Sequence, residues 1–135
     1  MKRELLAVEP ARKAGKPALG ERALIAREQA GELVRLFKIL ANDSRLRILH
    51  ALERAQELSV TDLAAAVDMK PQAVSNQLQR LVDRRIVVSR RQGSRLFYRI
   101  ADPCVTGLFE LGLCLLEETV GSRAGAPARA IRATR

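Results

Sequence analysis

The sequence predicts a mostly α fold interrupted by one β-hairpin, in the order helix, helix, helix, helix, strand, strand, helix. Three observations lead there. Aromatic residues make up only 3% of the chain and Trp is absent, so a core must be built from Leu, Ile, Val and Ala, which suits helices better than a sandwich. Apolar residues recur three and four positions apart through most of the chain. One β-branched, Arg-rich stretch around a Gly-containing turn breaks that rhythm. With 135 residues and 47% apolar composition there is material for one domain with a real core, but not for two of usual size. The expected division is a basic, disordered arm over 1–20, a folded domain over 21–120 and a basic, disordered tail over 121–135.

The first helix is expected from about Glu21 to Leu40, on the spacing of Leu24, Ile25, Leu33, Leu36, Phe37 and Leu40. Asn42, Asp43 and Ser44 then supply stop and N-cap chemistry for a second helix that carries Leu46, Ile48, Leu49 and Leu52 and ends near Ala55. After a short polar link, Ser59 to Asp62 reads as a capping box that opens a short helix through Leu63 and Val67. A turn at Asp68, Met69 and Lys70 leads to Pro71, pre-organised for a first helical position, and Val74, Leu78, Leu81 and Val82 then form one apolar stripe down to about Arg84.

Ile86 to Arg91 and Arg95 to Ile100 read as the strands of a hairpin with Gln92, Gly93 and Ser94 at its tip. Asp102 and Pro103 start a last helix, to about Val120, that is apolar on nearly every side and should therefore pair with a second protomer. Two helices joined by a tight turn and followed by a basic hairpin make a winged helix-turn-helix, whose second motif helix enters the major groove of DNA.

Charge placement agrees. The formal net charge is +9, of which the two tails carry +3 and +4, leaving the middle nearly balanced. Yet residues 70–99 hold eight Lys and Arg against Asp83 alone, so a basic face sits on an otherwise acidic domain. On the helix from Pro71, the rotation per residue puts Gln72, Asn76, Gln79 and Arg80 on the outer face beside Asp83, with Ser75 at its edge. Asn and Gln match the N6/N7 edge of adenine, which points to some A·T content in a double-stranded operator. Arg90, Arg91 and Arg95 flank the hairpin tip and suit phosphate or minor-groove contact.

Leu36 to Leu49, with Asn42-Asp43-Ser44-Arg45 at its centre, resembles the opening of ArsR/SmtB repressors. Glu57 to Leu63 resembles their E-L-x-V-x-x-L stretch, and Ala73 to Leu81 their V-S-x-H-L-x-x-L recognition helix, with Gly93 to Tyr98 as the wing. The likeness covers about residues 33–118. It implies a homodimer built on the first and last helices that represses a nearby operon until an effector binds. Three departures matter. Thiol-sensing members place cysteines where this chain has Ser59 and Thr61. The last-helix pattern of zinc-type members falls here on Asp102, Cys104, Leu115 and Glu118, so one ligand is missing and another is a thiol. Gln77 replaces the usual His of the recognition helix, a change expected to alter base preference and not the fold.

Cys104 and Cys114 are ten residues apart, about 15 Å along a helix, so one protomer cannot close both on one ion. If two last helices pack antiparallel, Cys104 of each lies level with Cys114 of the other, though their azimuths differ by about 80°. Two thiolates without His favour a soft ion, trivalent arsenic or antimony, over zinc or nickel. The same pair could instead form an intersubunit disulfide as a redox sensor, or serve as small apolar packing at a helix interface. His50 has no Cys or His at ligand spacing.

No nucleophile with its base, phosphate-cradling Gly loop or complete metal set is visible, so an enzyme is not expected. No apolar run approaches the length of a membrane span and no signal-peptide pattern opens the chain, so a cytoplasmic protein is expected, with reduced cysteines. A sequence-independent DNA-coating protein stays open as an alternative, since the basic tails alone would hold DNA.

Overall fold

The computed structural model describes residues 15–125. Most of the expected N-terminal arm and residues 126–135 of the expected tail lie outside them. After a single 3-10 turn at Leu19–Glu21, the elements are α1 (Arg27–Leu40), α2 (Asp43–Ala55), β1 (Leu58–Ser59), α3 (Val60–Val67), α4 (Pro71–Asp83), β2 (Val87–Gln92), β3 (Arg95–Ile100) and α5 (Pro103–Gly125). Two compact units are distinguished, Gly15–Asp102 and one that contains α5. No helix among the described residues is long and apolar enough to cross a membrane.

The core of the first unit is aliphatic, as the composition demands. Ile48, Leu49 and Leu52 from α2, Leu63, Ala64 and Val67 from α3, and Val74, Leu78 and Leu81 from α4 are buried together with Ile86 and Val87. Burying a Leu, Ile or Val side chain is worth roughly 1.5–3 kcal/mol, so these stripes decide how the three helices are rotated.

Local chemistry places the helix ends. Asn42 caps α2, its Oδ1 accepting from the Arg45 amide at 3.0 Å. Ser59 caps α3, its Oγ accepting from the Asp62 amide at 3.3 Å. At the far end of α3 the Arg47 guanidinium of α2 donates to the Val67 carbonyl at 2.9 Å, satisfying an otherwise orphaned acceptor and tying the two helices together. α4 ends in a Schellman motif, with the Ile86 amide on the Leu81 carbonyl and the Arg85 amide on that of Val82, both 2.9 Å. The left-handed residue this motif requires is Arg85, at φ 60°, where Gly is usual.

Four boundaries differ from the sequence reading. α1 begins at Arg27, not near Glu21, because Ala26 is extended and offers no side-chain cap; Leu24 is left 96% exposed instead of joining an apolar stripe. α5 runs to Gly125, past the expected stop near Val120, since an isolated Gly weakens a helix without terminating it. Gln92 belongs to β2, which leaves a two-residue turn of Gly93 and Ser94 with Gly93 at φ 64°, the type II′ pattern. Finally, the expected polar link contains a strand. β1 pairs with β3, Leu58 opposite Tyr98 and Ser59 opposite Phe97, so the hairpin is part of a three-stranded antiparallel sheet in the order β1-β3-β2.

Outside the core, α1 has no buried residue, and its Leu33, Val34 and Phe37 are exposed. In α5, Leu113, Leu115 and Leu116 are exposed.

The rotation of α4 is testable by substitution. Leu78→Ala should cost about 2–5 kcal/mol by the transfer and cavity effects of a closed core, whereas Gln79→Ala, one residue on, should stay within about 0.5 kcal/mol. Urea unfolding followed by circular dichroism distinguishes the two; equal losses would mean that this stripe is not the buried one.

Candidate nucleic-acid interface

α3 and α4 are joined by three residues. Asp68 adopts the left-handed conformation at φ 57° and ψ 52°, which Asp tolerates, and the Met69 amide closes back onto the Ala64 carbonyl at 3.0 Å. Lys70 is extended, and Pro71 then starts α4 with its φ already helical and no amide to leave unsatisfied. With Val74, Leu78 and Leu81 held inward, Gln72, Asn76, Gln79 and Arg80 stand exposed on the opposite side and Ser75 is half-buried at the edge.

The outer face of α4 is ordered by amide hydrogen bonds between residues four apart. Gln72 Nε2 donates to Asn76 Oδ1 at 3.1 Å, and Gln79 Nε2 donates to Asp83 Oδ1 at 2.8 Å. The first pair gathers two amide groups near the N-terminal end of the helix, with the Gln72 oxygen and the Asn76 NH2 still open to a base edge. The second turns Gln79 toward the C-terminal end and covers part of a carboxylate that would repel a phosphate. Gln77 faces elsewhere. Its side chain is half-buried and its Oε1 is buried without a hydrogen-bond partner among the described residues.

The hairpin separates the three arginines that the sequence treats alike. Cross-strand register places Arg90 opposite Phe97 and Gln92 opposite Arg95, so these four side chains share one face, and Arg91, opposite Leu96, takes the other. On the first face two guanidinium groups lie over the Phe97 ring, the Arg90 and Arg95 Cζ atoms 5.0 and 5.1 Å from its centroid. Arg90 also forms a bidentate ion pair with Glu57, Nε to Oε2 and Nη2 to Oε1 both at 2.7 Å, and donates from Nη1 to Gln92 Oε1 at 2.8 Å. Arg95 donates from Nη2 to Ser59 Oγ at 2.8 Å and lies 3.6 Å from Asp62 Oδ2. Arg91 is exposed on the opposite face.

Electrostatics follow the geometry. The hydrogen bonds from Arg90 hold the Glu57 carboxyl below the usual carboxylate range, with the positive charges of Arg90 and Arg99 acting in the same direction. The same hydrogen bonds push the Arg90 guanidinium up.

Glu57, Ser59, Asp62 and Phe97 are therefore parts of the wing's anchorage, a role the sequence assigned to none of them. Ser59 was legible as a cap. Its second role depends on β1, a strand too short to show any periodicity.

Cys104 and Cys114 both lie on α5, half-buried and as thiols. No group of three His, Cys, Asp or Glu side chains among the described residues is placed to hold a metal ion.

Comparison with known proteins accords with this architecture. A family model described as a helix-turn-helix domain matches residues 40–90, which span α2, α3, α4 and the start of the wing. The transcriptional repressor SmtB homolog of a Synechocystis strain is 45% identical over 82 residues, 61% of this chain and 61% of its own length. The crystal structure of the AntR antimony-specific transcriptional repressor superposes with a TM-score of 0.68 at 63% identity, covering 80% of this chain and 97% of that one. The homodimeric winged helix-turn-helix DNA-binding domain of Mb0332 from Mycobacterium bovis, solved by NMR, gives a TM-score of 0.62 at 36% identity over 74% of this chain and 94% of that one. With its helix order, its wing and matches that run nearly the full length of two solved relatives, the chain belongs to the ArsR/SmtB family of winged helix-turn-helix transcriptional regulators, which are DNA-binding proteins and not enzymes.

Proposed function

We propose that this chain is a homodimeric, sequence-specific repressor whose hold on its operator is released when a trivalent metalloid, antimony before arsenic, binds thiols of the last helix. The observation that carries the effector is the 63% identity to an antimony-specific repressor over 80% of the chain, joined to the donor set on α5, two thiols and no His. Such donors suit a soft ion. Cys104 and Cys114 stand about 15 Å apart along one helix, so a shared site needs Cys104 from one protomer and Cys114 from its partner. Effector binding at such a site would bias the dimer between two geometries, only one of which presents both α4 helices to successive major grooves.

Dimerisation is supported by the exposed apolar side chains of α1 and of α5 and by the homodimeric state of the Mycobacterium bovis domain. In the DNA-bound form, Gln72, Ser75 and Asn76 would meet base edges, Gln79 and Arg80 would lie further along the groove, and Arg91 would meet a phosphate. Arg90 and Arg95 would set the position of the wing.

Two measurements check this reading. For recognition, Asn76→Ala should weaken binding to the selected operator by about 1–3 kcal/mol per base read while leaving random duplex affinity unchanged; a uniform loss on both would make Asn76 a backbone contact. For the effector, anisotropy of a labelled operator fragment is followed while reduced protein is titrated with antimonite, arsenite, zinc or cadmium. Antimonite should release wild-type protein but neither Cys104→Ser nor Cys114→Ser. Release from both variants would move the site away from these thiols, and absence of release by any of the four would leave the cysteines as packing.

A further inference from the structure

We infer that Glu57 is a specificity-determining residue that withholds Arg90 from the DNA backbone and so lowers the affinity of the protein for DNA at large. This rests on the reading that the hairpin lies along the phosphates. Three of the five guanidinium donors of Arg90 are already committed, two to both oxygens of Glu57 and one to Gln92, while its Cζ lies over the Phe97 ring. Arg95 is committed on the same face to Ser59 and Asp62. Of the four arginines on the hairpin strands, Arg90, Arg95 and Arg99 share this face, and Arg91 alone stands on the other.

The consequence concerns which binding mode gains. Non-specific affinity grows with every phosphate a cation neutralises, irrespective of sequence, whereas discrimination comes from base edges. A cation taken up by a carboxylate of its own chain adds nothing to the first and subtracts nothing from the second. Glu57 sits immediately before β1 and α3, on the body of the domain and not on the hairpin, so it also fixes where Arg90 is held. Gln at this position keeps the shape and one acceptor but loses the charge that competes with phosphate.

The test is the salt dependence of binding to a random-sequence duplex, for wild type, Glu57→Gln, Arg90→Gln, the double variant and Arg91→Gln. Releasing one arginine per protomer should steepen the slope of log K against log salt by about 2 for a dimer, so that the affinity lost between 50 and 200 mM salt grows by about tenfold. Glu57→Gln should show this with a melting temperature close to that of wild type, and the effect should vanish in the double variant. A Glu57→Gln slope equal to wild type, or a steepening that persists without Arg90, overturns the proposal. Arg91→Gln separates the causes. If it flattens the slope while Glu57→Gln changes nothing, the wing does meet phosphates and the role of Glu57 is wrong; if neither moves the slope, the hairpin does not lie on the backbone and both readings fall.

Discussion

Burial of Val74, Leu78 and Leu81 fixes the azimuth of α4, and the exposed polar face opposite depends on that rotation. The side-chain pairs on its outer face, Gln72 with Asn76 and Gln79 with Asp83, contribute a few tenths of a kcal/mol each at such exposure. The three buried residues contribute several times more. The core thus decides which side chains stand outward, and the amide pairs only trim how those side chains are disposed. Helix α3 reinforces the choice, because its own ends are pinned by Ser59 at one end and by Arg47 and the Asp68 turn at the other, which sets the angle at which α4 departs.

The wing depends on the same body by a different route. Its outer strand, β2, pairs with no strand on one edge among the described residues, and beyond Val87 and Val88 it is exposed and basic. Pairing of β1 with β3 gives the hairpin a third strand, and the ion pair of Glu57 with Arg90 reaches across to the outer one. The Arg90 side chain is 49% and that of Glu57 26% exposed, so little global stability is expected from the charges themselves. What they supply is direction: a bidentate carboxylate and an aromatic face leave a guanidinium few orientations.

The fold was legible in the sequence wherever a periodic apolar stripe met a strong punctuation mark. Pro71 after a polar turn, Asn42 before Leu46, and Ser59 before Leu63 each located a helix start to within a residue or so, and the aliphatic core of α2, α3 and α4 followed from the spacing. The failures have physical reasons. Leu24 and Ile25 carry helical spacing but precede a residue that cannot cap, so periodicity alone misplaced the start of α1. β1 is two residues long, too short for an alternation to be read. The unequal fates of Arg90, Arg91 and Arg95 rest on a contact between Glu57 and Arg90, 33 residues apart, and on cross-strand register; neither exists until the chain has folded. For the outer face of α4, rotation per residue was enough to find which side chains stand exposed, but not to show that the Gln77 Oε1 is buried.

Ser59 has a further meaning when its neighbours in kind are considered. One hydroxyl caps α3 and accepts from Arg95, and its residue is one of two that join β1 to the wing. Thiol-sensing members of the family that this chain resembles carry a cysteine at this position. A lineage that exchanged the hydroxyl for a thiol would surrender cap and wing acceptor in a single step, and a metal bound there would inherit the joint between the helix-turn-helix and the hairpin. The position is a ready point at which regulation can migrate from one part of the fold to another, because the mechanical linkage exists before any sensing chemistry arrives to exploit it.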